Sequence, residues 1–161
     1  MKKDTKIAII GLGYVGLPLA IEFSKYFSVI GFDLSEKRVE DLKNGLDINK
    51  QTKKEILACS NNLLFTSDIK NISKSNVFII TVPTPVDIHN IPDLSPLKLA
   101  SEMVGDSLKE SDTVIYESTV YPGATEEICV PILERKSSLK YNINFFCGYS
   151  PERIYPGDKK H

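Results

Sequence analysis

Strand-sized apolar runs alternate along this chain with stretches whose apolar residues recur at helical spacing. That alternation continues through almost the whole length, and it predicts a parallel sheet wrapped by crossover helices. Six strands are expected: Lys6 to Gly11, Val29 to Asp33, Leu63 to Thr66, Asn76 to Val82, Thr113 to Glu117 and Asn144 to Gly148. Four of them, around Ile7-Ala8-Ile9-Ile10, Val29-Ile30-Gly31-Phe32, Val77-Phe78-Ile79-Ile80 and Val114-Ile115-Tyr116, are apolar without alternation. A strand reads that way when helices cover both faces of its sheet, so these four belong in the middle.

Helix signals sit between the strands. Ser35 precedes the run Glu36 to Asn44, which Gly45 stops, and Thr52 with Glu55 three residues on makes a capping box. Ser95 followed by Pro96 puts a cap and a first-turn proline ahead of a helix reaching about Leu108. Thr125 or Pro122-Gly123 opens a last helix, to about Arg135. The stretch Pro83 to Leu94 fits neither element, and loops of that length in a compact domain are usually functional or mobile.

With 161 residues, 42% hydrophobic and 25% charged, the chain has the composition of one globular domain. No apolar run approaches the roughly 18 residues of a membrane span, and the charged opening Met1 to Lys6 leads into a run too short for a signal-peptide core. A cytoplasmic protein without membrane contact is expected. Twenty Lys and Arg against 21 Asp and Glu leave a net charge of -1, which lacks the electrostatic footprint of a nucleic-acid binder. The cluster Lys50, Lys53 and Lys54 reads as a solvated helix start. Cys59, Cys129 and Cys147 are an odd set without metal-ligand spacing, so packed thiols are expected rather than disulfides or a metal site.

Gly11-Leu12-Gly13-Tyr14-Val15-Gly16 is a G-x-G-x-x-G directly after a strand and directly before a helical run. The glycines permit a tight turn, close approach to a pyrophosphate and close packing of helix on strand, while the helix N-terminus offers free N–H groups to the anion. Gly11, Gly13, Tyr14, Val15 and Gly16 are therefore candidate cofactor contacts. The second strand ends at Asp33, about 20 residues on, where a carboxylate accepts both ribose hydroxyls and repels a 2′-phosphate. NAD is expected rather than NADP. Arg38 either lies near the adenine or is a surface residue. At the end of the fourth strand Pro83 and Thr84 are placed to touch the cofactor, unless the prolines only shape a turn. At the end of the fifth, Ser118 and Thr119 could meet a nicotinamide or a reacting oxygen, or simply cap a helix. After the sixth, Glu152 could accept a proton or position water and Arg153 could pair with phosphate, against the plainer reading of a surface pair in a Pro-Gly loop.

The set Gly11-Leu-Gly-Tyr-Val-Gly-Leu-Pro18, Val82-Pro-Thr-Pro85, Glu117-Ser-Thr-Val-Tyr-Pro-Gly123 and Ser150-Pro-Glu-Arg-Ile154 with Pro156-Gly-Asp158 resembles the UDP-glucose/GDP-mannose dehydrogenase family, in order and over nearly the whole chain. Within it, Ser-Pro-Glu-Arg-Ile and the Thr-Pro-Val-Asp-Ile-His-Asn-Ile-Pro-Asp-Leu loop look like the branch acting on UDP-N-acetylhexosamines for surface polysaccharides such as capsule. The resemblance implies an α/β fold with a doubly wound, parallel six-stranded Rossmann sheet. Residues 1–150 would be the NAD-binding domain and 151–161 the start of a linker toward a substrate domain. It implies oxidation of the C6 hydroxyl of a UDP-sugar through aldehyde and cysteine-bound thioester to carboxylate, with two NAD+, by a homo-oligomeric enzyme. In that scheme Thr119 holds the catalytic water or oxyanion and Glu152 assists thioester hydrolysis, while Arg153, Ile154 and Tyr155 contact substrate. Tyr155 stands where a small polar residue, often asparagine, is usual. The family's nucleophilic cysteine lies in a Ser-Cys-Phe-x-Lys-Asp motif that Cys59, Cys129 and Cys147 do not match, so this chain alone is expected to be inactive. A stand-alone NAD sensor or a β-hydroxyacid dehydrogenase domain would share the glycine fingerprint but has no need of the Ser150 to Asp158 segment.

Overall fold

A computed structural model describes residues 4–49, 52–58, 62–86, 88–89 and 91–150. In chain order they form β1 (Lys6–Ile10), α1 (Gly16–Ser24), β2 (Ser28–Phe32), α2 (Glu36–Lys43), α3 (Lys54–Ala58), β3 (Leu63–Thr66), a 3-10 helix (Ile69–Lys74), β4 (Val77–Ile80), α4 (Ser95–Gly105), β5 (Thr113–Tyr116), a π-helical segment (Thr125–Cys129), α5 (Val130–Ser137) and β6 (Phe146–Tyr149). All six expected strands are present in one sheet of order β3-β2-β1-β4-β5-β6, and every neighbouring pair is parallel. The apolar, non-alternating strands β2, β1, β4 and β5 are its four central ones.

Because side chains alternate across a strand, those runs feed two cores. Ala8, Ile10, Phe78, Ile80, Val114 and Tyr116 pack with Leu97 and Val104 of α4 and Leu133 of α5. Ile7, Ile9, Val29 and Ile79 pack with Leu17 and Ala20 of α1 and Val39 and Leu42 of α2. Helices thus cover both faces, the doubly wound arrangement. In the first core the buried Tyr116 hydroxyl lies 2.9 Å from Ser101 Oγ, which donates to Leu97 O at 2.8 Å. Burial holds the Tyr116 phenol well above its ordinary range, so it stays protonated and satisfied.

Several helix ends differ from the sequence expectation. Ser35 does cap α2, accepting from the Arg38 N–H, and Gly45 follows with φ +75°. The capping box at Thr52 does not form the start of α3: Lys53 supplies the opening carbonyl, and the Thr52 N–H goes to Asp47 Oδ2 at 2.9 Å. Ser95 lies inside α4 rather than capping it. Asp93 Oδ1 takes the Ser95 N–H at 2.9 Å, and Leu94 O accepts from Lys98. A hydrogen bond from the Ser95 side chain, followed by the one from its backbone N–H, holds the Asp93 carboxyl below its usual range. α4 ends at Gly105, not Leu108, in a tightened turn where Ser107 and Leu108 bond three residues back. The last helix begins as π, because Pro131 brings no N–H and crowds the preceding turn, which widens to accommodate it. β6 starts two residues later than expected. Lys140 O collects the N–H groups of Ile143 and Asn144 in a turn that sends Phe145 into the core and leaves Phe146 half-exposed on the strand.

Phe78, fully buried at the centre of β4, carries the first core. Phe78→Ala is expected to cost about 3–5 kcal/mol of unfolding free energy, read as a lowered midpoint in denaturant titration with an unchanged slope.

Candidate functional site

The carboxyl ends of β1, β2, β4 and β5 meet where the strand order reverses, between β1 and β4. In open parallel sheets ligands bind at that reversal. Gly11 leaves β1 with φ +98°, its N–H held by Phe32 O at 2.8 Å. A Cβ on Gly16 would lie 1.9 Å from Gly11 O and 2.4 Å from Thr81 Oγ1, so α1 touches the strand turn and leaves no room for a side chain. At Gly13 a Cβ would meet nothing within 4 Å. Val15 precedes α1 and no side chain caps the helix; the Leu17 N–H bonds to Gly13 O, the Leu19 N–H to Val15 O, and Pro18 carries none, which leaves the Gly16 N–H of the first turn for a ligand. An open glycine beside a bare helix N-terminus fits a dinucleotide pyrophosphate.

Asp33 is half-buried, with Oδ2 accepting the Leu12 N–H and Oδ1 the Ser35 N–H, each at 2.9 Å. A carboxylate has about four acceptor positions, so both oxygens keep capacity for the hydroxyls of a ribose. Arg38 is not a surface residue: its side chain is 11% exposed, Nε donates to Leu12 O at 3.0 Å, and Nη2 lies 2.8 Å from the fully buried Asp47 carboxylate.

Two cavities flank the Val82-Pro83 segment. The first, about 450 Å3, runs between Gly11, Asp33 and Leu34 on one side and Pro96, Leu99 and Met103 of α4 on the other. The second, about 420 Å3, is lined by Gly13, Tyr14, Val15, Asn49, Thr84, Glu117, Ser118 and Thr119. Thr84 Oγ1 donates to Thr119 O and Ser118 Oγ to Val82 O, each at 2.6 Å, which lashes the β4 loop to the β5 loop. Ser118 is buried and commits its one proton to that strut; Thr119 is exposed. Neither caps a helix, since Ala124 precedes the π segment without a side-chain cap. The Pro83 to Leu94 arm folds back on itself through an antiparallel bridge from Val86 to Pro92 and an Asp93 N–H to Pro85 O bond.

Gly11, Gly13, Tyr14, Val15, Gly16, Asp33, Pro83, Thr84, Ser118 and Thr119 are therefore gathered around one cleft. Glu152, Arg153, Ile154 and Tyr155 lie outside the described residues, as does Cys59. Cys129 is fully buried, and Cys147 is half-buried rather than enclosed, with its thiol pushed up to about 12 by desolvation. Neither forms appreciable thiolate near neutral pH. Sequence reasoning missed Thr81, whose hydroxyl donates to Gly11 O at 2.8 Å, and the pair Asp47 and Asn49. Only the Asp-x-Asn turn at 47–49, where the Asn49 N–H returns to Asp47 Oδ1, leaves a trace in the sequence. Among the described residues no His, Cys, Asp and Glu group could hold a metal ion, and no helix is long and apolar enough to cross a membrane.

The sequence pattern described as the UDP-glucose/GDP-mannose dehydrogenase family, NAD binding domain, matches residues 5–161. UDP-N-acetyl-D-glucosamine 6-dehydrogenase of Salmonella typhi is 59% identical over 98% of this chain and 37% of its own length. Protein CapL of Staphylococcus aureus is 52% identical over 98% of this chain and 37% of its own. The solved structure of UDP-D-ManNAc dehydrogenase from Pyrococcus horikoshii superposes with a TM-score of 0.86 at 35% identity, covering 95% of this chain and 37% of that one. The chain therefore spans under two fifths of the length of these relatives.

The two inner glycines separate by experiment. Gly16→Ala is expected to destabilise the fold by about 2 kcal/mol or more, since backbone must move. Gly13→Ala should leave thermal unfolding within about 0.5 kcal/mol of the parent yet weaken NAD binding in calorimetry by about tenfold or more, because the methyl enters the open space beside the α1 N-terminus where a pyrophosphate is expected.

Proposed function

This chain belongs to the UDP-glucose/GDP-mannose dehydrogenase family, whose NAD-binding domain it forms, and from that premise we propose that the protein containing it oxidises the C6 hydroxyl of a UDP-N-acetylhexosamine to a carboxylate. The observation that carries the substrate class is the likeness to UDP-N-acetyl-D-glucosamine 6-dehydrogenase along nearly all of this chain. Bound NAD+ supplies the hydride acceptor, taken up twice between alcohol and acid. The same reading makes the whole protein a cytoplasmic homo-oligomer in surface polysaccharide synthesis, with residues 151–161 leading from the 1–150 domain toward a substrate domain.

In this proposal Gly11, Gly13, Tyr14, Val15 and Gly16 receive the pyrophosphate at the α1 N-terminus, and Asp33 accepts the adenosine ribose hydroxyls. Pro83, Thr84 and Ser118 shape the second cavity for the nicotinamide. Thr119, exposed and fixed at its carbonyl by Thr84, orients a water or the oxyanion of the reacting carbon. Glu152 assists hydrolysis of the thioester, while Arg153, Ile154 and Tyr155 meet the sugar nucleotide. By the family resemblance the nucleophilic cysteine comes from elsewhere in the protein, and the burial that raises the Cys129 and Cys147 thiols suits neither of them to covalent catalysis.

Asp33→Ala should weaken NAD binding in calorimetry by about 1.5–3 kcal/mol, the range of charge-assisted hydrogen bonds. An unmutated chain that bound NADP as tightly as NAD would overturn the placement of Asp33. For the activity, the 161-residue chain mixed with NAD+ and a panel of UDP-hexoses and UDP-N-acetylhexosamines should give no absorbance from reduced nicotinamide. The whole protein should reduce two NAD+ per UDP-N-acetylhexosamine. Turnover by the chain alone, abolished by Cys147→Ala, would mean that the nucleophile is already present here.

A further inference from the structure

We infer that Asp47 is a specificity-determining residue: by neutralising Arg38 it keeps the adenosine end of the cofactor cleft closed to a 2′-phosphate. One residue joins the groups concerned. Leu12 donates its N–H to Asp33 Oδ2 at 2.9 Å and accepts Arg38 Nε on its carbonyl at 3.0 Å. The guanidinium is thereby fixed one residue's backbone away from the carboxylate that faces the ribose. An arginine in this neighbourhood is what dinucleotide-binding folds use to accommodate the 2′-phosphate of NADP. Here Nη1 and Nη2 are buried and, among the described residues, make no aligned hydrogen bond, while the guanidinium keeps its full positive charge.

Asp47 answers that charge. Its carboxylate, with no exposure, lies 2.8 Å from Nη2 and is held in place by the N–H groups of Asn49 at 3.2 Å and Thr52 at 2.9 Å. A buried pair of this kind contributes little net stability, because desolvating two ions offsets most of their attraction. The N–H groups of Asn49 and Thr52 need only an acceptor at position 47, which a neutral side chain would also provide. What the negative charge adds is cancellation of the Arg38 field in a region where low polarisability lets such a field act strongly. With the pair neutral, Asp33 alone sets the sign at the ribose, and a dianionic phosphate is repelled.

This inference rests on the NAD-binding reading, and its test separates the two. Dissociation constants of NAD+ and NADP+ are measured by calorimetry for the parent chain, Asp47→Asn and Arg38→Gln, each checked for cooperative melting. Asp47→Asn is expected to move the ratio of the two constants toward NADP+ by about tenfold, through unmasking of one charge. Arg38→Gln, which leaves the Asp47 carboxylate uncompensated, should move it the opposite way. If Asp47→Asn fails to melt cooperatively, the direction of the Arg38→Gln change carries the test. A pair that only holds the loop weakens both cofactors alike, and a ratio unchanged within about twofold in the folded variants overturns the inference. A parent chain that binds neither cofactor would instead overturn the reading beneath it.

Discussion

Everything at the cleft depends on how closely α1 is pressed against the turn that follows β1. The space between Gly16 and Gly11 O is too small for a methyl group, and Thr81 reaches across from β4 to bond Gly11 O with its hydroxyl. That contact fixes the height of the helix N-terminus above the sheet and ties the β1 turn to the strand on the far side of the topological reversal. Two neighbouring glycines thus answer opposite demands. Gly16 is small because protein fills the space beside it, and Gly13 is small because protein leaves the space empty.

The reversal of strand order then divides the cleft. Loops leaving β1 and β4 diverge, and Val82-Pro83 stands between two cavities of similar size. The first is walled by Leu34, Leu99 and Met103 with Asp33 at its edge, a surface suited to a flat apolar base with hydroxyls at one end. The second carries Asn49, Thr84, Glu117 and Thr119, polar groups suited to an amide and to chemistry. The struts from Thr84 to Thr119 and from Ser118 to Val82 make the β4 and β5 loops one piece, so the polar wall is held by hydrogen bonds between loops rather than by either loop alone.

What the sequence revealed divides along the same physical lines. The strands were legible because burial on both faces forces uninterrupted apolar runs, and the glycine turn and Asp33 because a pyrophosphate and a ribose impose fixed requirements at fixed spacing. Local ends were less so. Ser95 looks like a cap, but its own N–H is taken by Asp93 and the helix opens one residue earlier at Leu94, and the π segment before Pro131 arises from a steric conflict that periodicity does not record. Phe145 and Phe146 are indistinguishable by type, yet one is fully buried and the other half-exposed, because the turn at Lys140 decides where β6 begins. Arg38 was open between two readings since its partner, nine residues on, is brought under it only by the path of the chain after α2. For Glu152 to Tyr155 the family resemblance is the whole of the argument.

The charges along the cleft are sorted to match a ligand whose own charge is uneven. In the proposed binding mode the α1 N-terminus, which no side chain caps, turns the positive end of the helix dipole toward the negative charge of a pyrophosphate. Beyond Leu12 the balance reverses, with the carboxylates of Asp33 and Asp47 set against the single guanidinium of Arg38. On the proposed placement a neutral ribose crosses that boundary at no electrostatic cost and gains hydrogen bonds to Asp33. A phosphorylated one meets the excess negative charge in a partly buried setting, where screening by water and salt is weak. Leu12 is the hinge of this arrangement because its N–H and carbonyl point to opposite charges, so the peptide backbone itself keeps the acid and the base apart while holding both at the same end of the cofactor.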